Sequence, residues 1–146
     1  MTGALLGLLF YSVYQSYFAL KNYLKISKSY FVFGLAWLIM VTVLLCIPGT
    51  ELPKLNWSNK IWLDKWVHIF LFLVLVWFWC RAYKRIEVFK AKKIFITITV
   101  LSIVYGIIME IIQHYFIPFR SFDLGDMIAD SIGAIAGYFL SAKRVK

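Results

Sequence analysis

Apolar residues in this chain come in long unbroken runs, and its polar positions gather at the ends of those runs. A helix needs roughly 17–25 predominantly apolar residues to cross a hydrocarbon core. Four runs qualify, at 30–47, 66–83, 94–112 and 124–140. The first is stopped by Pro48-Gly49, a pair that cannot continue a helix. The second is attended by Trp62, Trp66, Trp77 and Trp79, at levels suited to the two interfacial belts. A fifth run, 1–20, is uncharged and places Gly3 and Gly7 at the spacing that lets helices approach closely. Its Tyr11, Tyr14, Gln15 and Tyr17 fit an interfacial helix equally well, and a fifth span is the favoured reading.

The expected fold is therefore all-α, an integral membrane helical bundle of four strong transmembrane helices with a fifth at the N-terminus. The chain divides at 28: residues 1–28 form a hydrophobic segment with a basic cytoplasmic linker, and 29–146 form a four-helix membrane domain. The N-terminus lacks the basic region and small-residue cleavage site of a signal peptide, so it is expected to be retained. No internal repeat, low-complexity stretch or soluble linker is visible.

Composition reinforces the pattern. Of 146 residues, 62% are hydrophobic and 19% aromatic, more apolar surface than one soluble core of this length can hide. The net charge of +9 raises nucleic acid as a partner, but no basic stripe continues along a solvated face, and that reading is excluded. The partner that remains is the lipid bilayer. Cys46 and Cys80 sit inside apolar runs without metal spacing and read as buried thiols.

Charge placement gives an orientation. Lys21, Lys25 and Lys28, the stretch 81–93 and the stretch 143–146 carry most of the 16 basic residues, and they share a side if the four strong spans are real. The positive-inside rule makes that side cytoplasmic, in a multi-pass protein of the bacterial plasma membrane. Of the seven acidic residues, only Glu87 is then left inside.

Ionisable groups in a bilayer are costly and by default mark a site or a pathway. Asp64, Lys65 and His68 open the second run. Glu110, Gln113 and His114 close the third, and Asp123, Asp126 and Asp130 open the fourth. Asp64 and His68 are four apart, Glu110 is followed by Gln113 and His114 at three and four, and the three aspartates follow one stripe, so each set shares a helical face. With those faces inward, four carboxylates, two imidazoles, one amide, Lys65 and Arg120 converge at the outer end. Gly133 and Gly137 let the last helix pack closely.

A purely structural network is one reading: Lys65 and Arg120 neutralise Asp64, Glu110 and Asp126, and Asp123 caps the last helix by accepting from the Asp126 N–H. Against it stands the surplus of acids. Asp130 lies nearly two turns into its span, where an unpaired charge costs roughly 2.5–3.5 kcal/mol. A bound cation, a protonated Asp130 or a polar ligand would remove the imbalance. Two chemical readings follow. In one, His68, Glu110, Asp126 and His114 hold a divalent metal such as Mg²⁺, Mn²⁺ or Zn²⁺. In the other, Glu110 or His68 is a general base while Arg120 and Lys65 clamp an anionic headgroup. Several enzyme classes are excluded: there is no complete phosphatidyl-alcohol transferase or lipid phosphate phosphatase signature, no Gly-x-Ser-x-Gly elbow, no Walker loop and no His-Glu-x2-His helix.

At these residues the sequence resembles the VanZ-like family, small bacterial membrane proteins associated with teicoplanin resistance. The segments that carry the resemblance are PGTELP (48–53), LDKWVHIFLF (63–72) and YGIIMEIIQHYFIPFRSFDLGDMIADSIGAIAG (105–137). The family pattern, Asp-Lys-x2-His, Glu-x2-Gln, Arg-Ser-x-Asp-x2-Asp and Ala-Asn-x2-Gly, falls on Asp64, Lys65, His68, Glu110, Gln113, Arg120, Ser121, Asp123, Asp126, Ala129 and Gly133. Asp130 stands where the family usually has Asn, and Phe119 precedes Arg120 where it often has Gly. On these motifs the resemblance begins near Tyr30 and leaves out 1–28. It implies four or more spans, an envelope location and a link to glycopeptide antibiotics, and it supplies no reaction.

The functional expectation is an envelope protein whose outward-facing polar site engages a lipid-linked or wall-related anionic ligand. Glu110, His68 and Asp126 are the candidate catalytic or proton-moving residues, and Asp64, Lys65, Gln113, Arg120 and Asp123 the candidate ligand-binding ones. A divalent metal is a candidate cofactor with no assigned ligand set. Whether the chain is an enzyme is left open. The alternatives are a metal-assisted enzyme acting on a lipid headgroup and a helix-packing interaction protein using the Gly133 face.

Overall fold

A computed structural model describes residues 26–48, 50, 57–83 and 88–143. Among these the regular structure is four long helices: α1 (Lys28–Leu45), α2 (Trp57–Ala82), α3 (Val88–Phe116) and α4 (Leu124–Ala142). The candidate fifth span, 1–20, lies outside the described residues. Lys28–Leu45, Leu63–Ala82 and Ala91–Phe116 are long and apolar enough to cross a membrane. The fourth expected span is present as a helix of 19 residues, about 28 Å at 1.5 Å per residue. Asp126 and Asp130 in its first half dilute its apolar character, and it is not among those three.

α2 and α3 run beyond their apolar stretches, with 26 and 29 residues. Asp64 and Lys65 therefore sit on helical turns of α2, and Gln113 and His114 on the last turns of α3, so polar groups expected at span ends are held on rigid backbone. α1 begins after Ser27, whose backbone N–H donates to the Ala82 carbonyl at 2.9 Å and ties the start of α1 to the end of α2. α4 is capped by Asp123, as expected, but the carboxylate accepts from the Gly125 N–H at 2.6 Å rather than from Asp126. The turn before it contains Phe119 at φ 59°, a left-handed conformation that glycine adopts without cost. That agrees with a position where the VanZ-like pattern often has Gly.

α4 packs most extensively against α2. The reason is the absence of side chains: a β-carbon at Gly133 would run into the Ile69 backbone carbonyl, and one at Gly137 would stand 2.6 Å from the Leu73 carbonyl oxygen. α1 covers another side of α2 through rings, with Phe31 edge-on to Trp79 at 5.3 Å and Trp37 near Phe70 and Phe78. The Trp37 indole N–H also donates to the Leu71 carbonyl at 3.0 Å. Two apolar clusters fill the bundle. One joins Val41, Leu45, Leu71, Phe72, Leu75 and Met109, and the other Val76, Cys80, Ala91, Phe95 and Ala134.

The outer faces are apolar. Val32, Phe33 and Ile39 on α1, Val100 and Leu101 on α3, and Ile128, Ile132 and Phe139 on α4 are all exposed. So continuous an apolar surface suits lipid rather than water. Trp66 is exposed toward one end of α2, while Trp77 and Trp79 are half-buried toward the other, where the Arg81 guanidinium lies 5.1 Å from the Trp77 ring. The Trp62 side chain lies outside the description.

Candidate functional site

The polar residues of three separate sequence stretches meet at the end of the bundle opposite the Ser27–Ala82 contact. Lys65, on the first turn of the apolar part of α2, reaches across to the start of α4. Its Nζ donates to Asp123 Oδ2 at 2.8 Å and to Asp126 Oδ1 at 2.9 Å. The Lys65 side chain is 26% exposed and Asp123 is 47% exposed, whereas Asp126 is buried at 7%, so the pair on Asp123 faces outward and the pair on Asp126 faces the bundle. The Lys65 hydrogen bond, helped by the Gly125 N–H, holds the Asp123 carboxyl below the usual carboxylate range.

One turn deeper, His68 is buried between α2 and α4. Its Nδ1 lies 2.9 Å from Asp130 Oδ1 and its Nε2 lies 3.9 Å from Asp126 Oδ2. The i, i+4 spacings of Asp64–His68 and Asp126–Asp130 place these groups on facing stripes. Single ligand atoms of Asp64, His68 and Asp126 lie within 4.8 Å of one another. Asp130 fits because α3 presents Gly106 to it, where a β-carbon would stand 2.7 Å from Asp130 Oδ2.

Glu110 is almost fully buried on α3 and accepts a hydrogen bond from the Asp123 backbone N–H, fixing the loop before α4. Gln113 is also buried, and its Nε2 donates to the Leu45 carbonyl at 2.8 Å, one of the free carbonyls at the end of α1. Arg120 donates through Nε to the Ile47 carbonyl at 3.3 Å. Ion pairs among the described residues do not include Arg120 or Glu110, so the cationic partners of the five carboxylates are Lys65, on Asp123 and Asp126, and His68 when protonated, on Asp126 and Asp130.

Of the sequence-predicted site residues, Asp64, Lys65, His68, Glu110, Asp123 and Asp126 come together, with Gln113 and Arg120 bonding carbonyls at and just beyond the end of α1. The expected convergence of two imidazoles is corrected to one. His114 is exposed and edge-on to the Tyr115 ring at 4.7 Å, because it lies one position beyond Gln113 and so leaves the inward face of α3. The expected neutralisation also changes: Lys65 pairs with Asp123 and Asp126, while Arg120 binds a backbone carbonyl. Sequence reasoning missed Gly106 and Gly125. A β-carbon at Gly125 would stand 2.6 Å from Lys65 Cε, so both glycines make room for charged side chains that other helices supply. No local signal marks a glycine for that role.

The fold and site together define an all-helical membrane protein with a buried, charged cluster at one end of the bundle. The chain belongs to the VanZ/LLP1 family, whose pattern it matches over residues 1–144. The match takes in 1–28, which the short motifs alone left out. No curated protein and no solved structure matches the chain.

Proposed function

We propose that this protein is a multi-pass envelope protein of the VanZ type, with α4 and the N-terminal run 1–20 completing the spans begun by α1, α2 and α3. Its polar end opens outward and binds the anionic group of a lipid-linked or wall-related ligand. The observation that carries the reading is the meeting of Asp64, Lys65, His68, Glu110, Asp123 and Asp126 at the end of the bundle opposite Arg81. The positive-inside rule then supports placing the Arg81 end in the cytoplasm and the acidic end outside. α4 can sit in a bilayer despite its charge because Asp126 and Asp130 face protein, and its outer face is Ile128, Ile132 and Phe139.

The exposures of the two Lys65 partners suggest how a ligand enters. Asp123 is the outward partner, so an incoming anion displaces it from Lys65 while Asp126 keeps its bond beneath. Glu110 holds the backbone on which Asp123 moves, and His68 with Asp126 lies below as a pair able to pass a proton.

The test is tolerance to teicoplanin in a susceptible Gram-positive host expressing wild type or Glu110→Gln at matched membrane abundance. Protection by wild type and its loss in the variant is the expected result. Equal behaviour of the two proteins overturns the reading.

A further inference from the structure

We propose that Asp64, His68 and Asp126 form a binding site for one divalent transition cation, with Asp130 as the group that orients the imidazole. The inference rests on reading the cluster as a ligand site and names what the ligand meets there.

The His68 side chain is 97% buried by its 3% exposure, and its two ring nitrogens are treated differently. Nδ1 is engaged by Asp130 Oδ1 at 2.9 Å, while Nε2 has no hydrogen bond among the described residues and points toward Asp126 Oδ2 at 3.9 Å. A carboxylate on one ring nitrogen keeps a proton there, so Nε2 is the atom left to take either a second proton or a cation. Its neighbours are carboxylate oxygens, which favour a positive group at that position. Without a metal the second ring proton serves there as part of an ion pair, and a divalent cation replaces it with release of that proton.

Lys65 does not fill that role. Its Nζ bonds Asp126 through Oδ1, the oxygen turned outward, and leaves Oδ2 on the His68 side. Asp64 Oδ1 or Oδ2 completes the group, with all three ligand atoms within 4.8 Å of one another. Cations bound at about 2.0–2.2 Å separate neighbouring ligand atoms by roughly 3–3.5 Å, so closing the set takes an inward rotation of the half-buried Asp64 and a shortening of the 3.9 Å between Asp126 Oδ2 and His68 Nε2. Two carboxylates would satisfy Mg²⁺ or Ca²⁺, but the imidazole directs the site toward Mn²⁺, Fe²⁺ or Zn²⁺. Glu110 adds weight to the charge argument, since it is 1% exposed and has no cationic partner among the described residues.

Three protein ligands leave positions open for an anionic oxygen. Because Lys65 is already shared by two carboxylates, a bound cation is the stronger attraction for a phosphate or carboxylate arriving from outside.

The experiment is Mn²⁺ titration of the purified full chain in detergent, followed by electron paramagnetic resonance with nitrogen hyperfine detection. Wild type is expected to bind one Mn²⁺ per chain, with coupling to one imidazole nitrogen, and Zn²⁺ is expected to displace it. Asp64→Asn, which removes no hydrogen bond described here, is expected to weaken binding at least about tenfold, as loss of a ligand or its support does. Substoichiometric binding, absence of nitrogen coupling, or unchanged affinity in Asp64→Asn each overturns the proposal. The teicoplanin assay is a separate readout: protection lost in Glu110→Gln with no Mn²⁺ bound would sink the cation site and leave the anion-binding reading standing.

Discussion

α1 and α4 both pack on α2, yet they do so by opposite means. α1 has three buried residues, Gly34, Val41 and Leu45, and makes its contacts through aromatic rings and one indole hydrogen bond. α4 is the more polar helix and the more enclosed, with seven buried residues that include Asp126, Asp130, Gly133 and Gly137. In water the polar helix would be the exposed one. In lipid, which cannot solvate charge, the helix that carries carboxylates must be surrounded by protein, and the more apolar one is free to face the solvent. The contrast locates the site: it lies at one end of the α2–α4 seam, which Gly133 and Gly137 keep close.

The largest expected effect breaks the α4 side at its buried pair. Asp130→Ala leaves His68 without its 2.9 Å partner, and removing one member of a buried ion pair costs about 3–5 kcal/mol. On the α1 side, Trp37→Phe removes the hydrogen bond to Leu71 O, with an expected cost of about 1 kcal/mol. Unfolding free energies of purified protein, measured by steric trapping, check both. A loss in Asp130→Ala as small as that in Trp37→Phe would show the pair to be a neutral hydrogen bond, of the strength usual between membrane helices. It would also weaken the case that charge governs this seam.

The next effect sets one glycine against another. At Gly133 an added β-carbon meets the Ile69 backbone, which cannot turn aside, so Gly133→Ala must push α4 from α2 at a cost of about 1–3 kcal/mol. At Gly34 the nearest atoms, on Trp79 and Phe78, stand 3.5–3.6 Å away in ordinary contact. Gly34→Ala is expected to be neutral, or to stabilise by up to about 1 kcal/mol through helix propensity. Equal losses at the two positions would show that α1 is fitted as tightly as α4.

The same contrast explains what was legible in the sequence. The apolar runs locate all four helices, α1 and α4 to within two residues at each end, because hydropathy acts over whole helices; α2 begins nine residues before its run and α3 six before its own. Their ends were misplaced where polar residues such as Lys65 and Gln113 continue a helix whose capping and pairing come from other elements. The cluster was legible because i, i+4 spacing assigns charges to one face. Its pairing was not, because the partner of Lys65 depends on how α4 lies across α2. His114 shows the limit clearly: spacing put it near Glu110, but the inward face of α3 is narrow enough that Gln113 occupies it and His114 does not.

The smallest expected effect lies at the rim of the α2–α4 seam, in the response to acid. Asp123 is held below its ordinary value of 3.8 by Lys65 and the Gly125 N–H. A lowered folded-state value means that the carboxylate contributes stability that is fully present above about 3.8 and is lost as pH falls through the lower folded value. Asp123 is half exposed, so water screens much of this contribution and the expected effect is slight. The measurement is the difference between wild-type and Asp123→Asn unfolding midpoints in detergent from neutral pH into acid. Wild type should be the more stable at neutral pH, with the two curves converging below pH 3.8 as its carboxylate takes up a proton. Curves that stay parallel through that range would mean that Lys65 is held by Asp126 alone. The outward half of its fork would then be free for a ligand even before Asp123 moves.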